Sequence, residues 1–67
     1  MKKFVLNTTS ESCDHYTYLI EHPQKPTKTE LDKFLLAHAN DRYADEVFES
    51  VDSIVEISDD KFLTIPN

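Results

Sequence analysis

The chain contains no glycine among its 67 residues. Glycine alone enters the left-handed backbone region without steric cost, so tight turns here have to be made by other residues. Asn and Asp tolerate that region best, and the turns are expected to fall on them. The same absence removes every glycine-based phosphate cradle, so neither a Walker loop nor a dinucleotide fingerprint can occur. Nucleotide-binding enzymes built on those loops are excluded.

A chain of this length makes one domain, spanning residues 1–67, with a stability of about 3–5 kcal/mol. Four Phe, three Tyr and a supply of Val, Ile and Leu give material for a packed core. The single Cys13 rules out an internal disulfide, the usual staple of small secreted domains. The apolar run Phe4-Val5-Leu6 turns polar at Asn7, too short for a signal-peptide core or a membrane span. The expectation is a cytoplasmic protein that does not engage a membrane.

Residues Lys2 to Thr8 read as a first strand. His15 to His22 is the strongest strand signal, with Tyr16, Tyr18 and Ile20 alternating against Thr17, Leu19 and Glu21. Their closeness in sequence predicts an antiparallel hairpin. Pro23 and Pro26 then stiffen a linker. A helix over about residues 28–39 follows, opened by a capping box of Thr27 with Glu30. Leu31, Phe34, Leu35 and His38 form its buried stripe, and Asn40 is the expected C-terminal cap.

Beyond Asn40 two periods compete. Ala44, Val47, Phe48 and Val51 share a helical face, while the β-branched Val51, Ile54, Val55 and Ile57 favour strand. The expectation is a short helix near 42–50, then a hairpin of strands near 52–58 and 61–65 around Asp59-Asp60. One longer helix to about residue 57 is the alternative. The resulting fold class is α+β. Its architecture is a two-layer sandwich with a mostly antiparallel four-stranded sheet, elements in the order ββααββ, and two helices on one face.

Charge is uneven. Residues 41–60 hold eight acids against Arg42 alone, so nearly the whole net charge of −6 lies there. On a helix, Asp45, Glu49 and Asp52 would project together, opposite the apolar face. Such a surface suits a basic protein partner, whose capture would weaken with salt. An inhibitor mimicking nucleic-acid charge is one form of this reading. An ordinary solvated face that keeps the domain soluble is the plain alternative. Direct nucleic-acid binding is disfavoured, because phosphate contacts need a basic patch. Tyr16 and Tyr18, with Phe4, are a second candidate contact surface if their sheet face is open, and core residues if it is covered.

Other chemistry is thin. Cys13, His15, His22 and His38 lack the paired spacing of a structural zinc site, and no metal or cofactor is expected. Cys13 with a nearby histidine is the sharpest enzyme reading. However, no helix N-terminus or cation cluster adjoins the thiol to activate it. The leading reading is a non-catalytic protein-binding module, an acidic inhibitor or adaptor. A homodimeric structural or assembly subunit is the alternative. Small size, acidity and lack of motifs are together the general style of phage and mobile-element accessory proteins.

Overall fold

The computed structural model describes residues 1–57 of the chain. The elements are β1 (Lys2–Ser10), β2 (His15–His22), α1 (Lys28–His38), β3 (Arg42–Tyr43), β4 (Glu46–Val47) and β5 (Glu49–Ile57). β1, β2 and β5 form one antiparallel sheet in the order β2-β1-β5, and β3 and β4 form a separate small hairpin.

This corrects the expected architecture. Among the described residues there is one helix rather than two, and the main sheet has three strands rather than four. The helix expected near 42–50 is replaced by the β3–β4 hairpin and the start of β5. The reason is competition for Glu49: as a strand residue it takes up buried bonds beneath the helix, which leaves only residues 42–48 for a helix. So short a segment does not repay helix nucleation. The expected strand near 61–65, with its Asp59-Asp60 turn, lies outside the described residues.

The first half folds as its patterning implies. β1 alternates strictly, with Phe4, Leu6, Thr8 and Ser10 buried beneath the helix and the odd positions on the open face. β2 pairs with it in unbroken register, from Lys2↔His22 to Thr9↔His15. Thr27 accepts the Glu30 amide at 3.2 Å, and Glu30 accepts the Thr27 amide at 2.9 Å, so the capping box is complete. The helix lays Leu31 and Leu35 onto Phe4, Leu6 and Ile20, with Tyr18, Phe34, Ala39, Val47 and Ile54 packed around them. Each fully buried side chain of this kind contributes about 1.5–3 kcal/mol.

Three local expectations are corrected. Ala39 rather than Asn40 caps the helix, donating its amide to the Leu35 carbonyl at 2.8 Å. Asn40 instead donates both its backbone amide and its Nδ2 to the Tyr18 hydroxyl, each at 3.0 Å. His38 lies outside the buried stripe and is exposed, its ring 4.9 Å from that of Phe34. The left-handed positions also fall on neither Asn nor Asp. Among the described residues they are Cys13, at φ 67°, and Ala44, at φ 52°.

β5 carries the one irregularity of the main sheet. Its register with β1 shifts between Asn7 and Thr8, so Asp52 is left without a partner position. Below the shift Ile54 faces the helix; above it, Val51 and Glu49 do. The helix covers one sheet face only. The other presents Val5, Leu19, Val55 and Ile57, with Leu19 58% and Val55 51% exposed.

Candidate functional site

The acids of the later half do not share one surface. Glu49 is buried, at 7% exposure. Asp45 stands exposed in the β3–β4 turn, and Asp52 lies on the open sheet face, where it accepts a bond from the Thr9 hydroxyl. Glu56 faces Lys2 at 4.0 Å, at the opposite end of the sheet from Glu49.

Glu49 is the polar centre of the fold. One carboxylate oxygen accepts the Thr8 hydroxyl at 2.7 Å and the Tyr18 hydroxyl at 2.6 Å; the other accepts the Asp41 amide at 2.7 Å. Burial alone would raise its pKa. The donations from Tyr18 and Thr8 and from the Asp41 and Asn40 amides outweigh burial and hold the carboxyl below the usual range. The network ties β2, β1 and β5 to the loop after the helix. It also anchors the small hairpin, because Phe48 donates to the Asp41 carbonyl at 2.8 Å and accepts the Glu11 amide at 3.0 Å.

Thus anchored, the hairpin lies along the flank of α1. Between them is a cleft of about 320 Å³, lined by Asp32, Leu35, Leu36, Asp45, Val47 and Glu49. Asp45 and Asp32 stand at the rim of an apolar floor, Asp32 facing Lys28 at 3.4 Å, and Glu49 lies buried at its base. Leu36 is partly exposed there, at 40%. The cleft adjoins a groove of about 450 Å³ between α1 and β5 that shares Asp32, Leu35 and Glu49 and adds Pro26, Leu31, Val51 and Ile54. Of the residues singled out from the sequence, Asp45 and Glu49 therefore meet at one site, while Asp52 does not. Leu36, Val47 and Asp32 complete the cleft; the sequence does not bring them together, because the hairpin residues fit a helical period.

Tyr16 and Tyr18 lie on the helix-covered face. Tyr18 packs edge-on against Phe34, with ring centroids 5.6 Å apart, and serves the Glu49 network. Its hydroxyl is pushed up from its ordinary value by burial first and by the bond to Glu49 next. Tyr16 is half-buried beside the acids at the turn end of the sheet. Burial, and then the charges of Asp14, Asp41 and Glu49, raise its pKa.

The candidate thiol chemistry finds no assembly. Cys13 is exposed in the β1–β2 turn, where its amide donates to the Ser10 carbonyl at 3.0 Å. His15 is bonded to Thr9 at 3.0 Å, and His22 pairs with Glu30 at 2.8 Å, on the other sheet face and at the far end of β2. Among the described residues no three His, Cys, Asp or Glu side chains converge in a way that could hold a metal ion. No described helix is long and apolar enough to cross a membrane. No protein-family model, curated protein or solved structure matches the chain.

Proposed function

We propose that this domain is a non-catalytic protein-binding module whose cleft between α1 and the β3–β4 hairpin receives a Lys or Arg side chain of a basic protein partner. The supporting observation is the lining itself: the exposed Asp45 stands at the rim of the apolar Leu35, Leu36 and Val47, with Asp32, which also faces Lys28 at 3.4 Å, across from it and the buried Glu49 beneath. A long cationic side chain has the matching form, with an aliphatic stem for the floor and a charged head for the rim. The partner is a basic protein rather than a nucleic acid, since phosphate would meet the same carboxylates. We assign the module to the cytoplasm, where the exposed thiol of Cys13 stays reduced.

The test is an amide-resolved NMR titration with a short peptide of alternating Arg and Leu, at low salt and at about 0.3 M, where screening is strong. Saturable shifts are expected at Leu36, Asp45 and Val47. Asp45→Asn and Asp32→Asn should each raise Kd about two- to fivefold, the effect of one exposed ion pair. Shifts spread evenly over all acidic residues, or none at the cleft, would overturn the assignment.

A further inference from the structure

The main sheet has two outer edges among the described residues, and they differ. Along β5 the bulge at Asp52 breaks the run. β2 has eight residues in continuous register with its neighbour, and neither Pro nor Lys among them. Bulges, prolines and charged side chains, lysine above all, keep an edge from accepting another strand. β2 has no bulge, proline or lysine, and Glu21 is its one acidic residue.

We propose that β2 pairs antiparallel with β2 of a second copy of this chain, about a twofold axis through Tyr18. The two sheets then join into one of six strands with both helices on the same side. The register follows from the pleat. Residues opposed across an antiparallel pair share a face, so the axis must pass through a residue. Tyr18 gives His15 opposite Glu21 of the second copy, and Glu21 opposite its His15, both exposed on the open face. Centring on Thr17 would set His15 against Leu19; centring on Leu19 would set Glu21 against Thr17. Only the Tyr18 register sets an imidazole, a hydrogen-bond donor, against the Glu21 carboxylate.

The ends of the molecule agree with this. In each copy Glu11 and Asp14 lie at the turn end of the β1–β2 hairpin, and Lys2 and His22 at the other. An antiparallel seam sets Asp14 of each copy opposite His22 of its mate, so the acidic turn end of one chain meets the end of the other where Lys2 and Lys3 offset Glu21 and Glu56. Tyr16 faces Ile20 of the second copy on the helix side, a favourable aromatic–aliphatic cross-strand pair.

The experiment is sedimentation of the full chain from low micromolar to about millimolar concentration, with hydrogen exchange measured at both limits. A monomer–dimer equilibrium is expected, with β2 amides gaining protection at high concentration and β5 amides unchanged. Leu19→Lys, at an exposed position, should weaken the dimer about tenfold. His15→Glu should weaken it as well, and His15→Glu combined with Glu21→Lys should restore it by reversing the same pair. These exposed positions decide the matter should Leu19→Lys lose its fold. A monomer at every concentration, a dimer that leaves β2 exchange unchanged, or a charge reversal that fails to restore association would each overturn the proposal. A monomer whose β2 is protected only by added foreign peptide would overturn it in favour of another protein's strand.

Discussion

Replacing Glu49 tests whether a buried carboxylate holds this fold together. Glu49→Ala leaves the Thr8 and Tyr18 hydroxyls and the Asp41 amide without the acceptor they now share. Thr8 is 1% exposed, so water does not substitute easily. At about 1–3 kcal/mol for each buried donor left unsatisfied, with some relief for the half-buried Tyr18, the loss is about 3–5 kcal/mol. That equals the whole stability expected of a domain this small, so the variant should be largely unfolded at neutral pH. Glu49→Gln keeps one acceptor oxygen and turns an amino group toward donors, and should cost about 1–3 kcal/mol. Urea titration followed by circular dichroism reads both, with the exposed Glu46→Gln as control, expected within about 0.5 kcal/mol of the parent. The pH dependence has a definite direction. The folded carboxyl titrates below its unfolded value, so its contribution is complete above that value. The contribution is lost as pH falls through the folded one. The gap between parent and Glu49→Gln should therefore close under acid. A Glu49→Ala protein that loses less than about 1 kcal/mol would refute the reasoning.

Three further outcomes follow from the geometry. Ala44→Gly should raise the urea midpoint by the equivalent of about 1 kcal/mol, because Ala44 occupies a left-handed position that only glycine enters freely; Cys13→Gly should behave alike. Thr27→Ala should cost about 1 kcal/mol by removing the helix cap, read from the same midpoint. Ultraviolet titration should find Tyr16 ionising above the ordinary tyrosine value, and Asp14→Asn should lower it only part of the way, because burial remains. Since the folded value is the raised one, the stability linked to Tyr16 is complete below the unfolded value and fades as pH climbs through the folded one.

How far the fold was legible depends on whether its signals are local. β2 and α1 announce themselves through strict alternation and a capping box, both written within a dozen residues. The stretch from Arg42 to Val51 has no such signal. Its apolar residues fit a helical stripe, but the deciding interaction runs from Glu49 to Thr8, 41 residues away. A hint was present in β1, where Thr8 and Ser10 continue the buried phase of Phe4 and Leu6. Polar side chains in that phase need a polar partner from elsewhere in the chain. Asp45 could be picked as exposed from its acidic surroundings. Its place beside Leu36 and Asp32 could not, because the turn that sets it there passes through Ala44, a residue with no turn preference.

The unpaired residue at position 52 has a consequence for how this chain can vary. Counting back from Ile57 in strict twos, Glu49 would share the outward parity of Val55 and Ser53; the extra residue reverses the count and sends it inward. β5 is thus two reading frames spliced at an aspartate. A single deletion or insertion between Ser50 and Ser53 would exchange inside for outside along the upper part of the strand, without altering the chemical character of any residue.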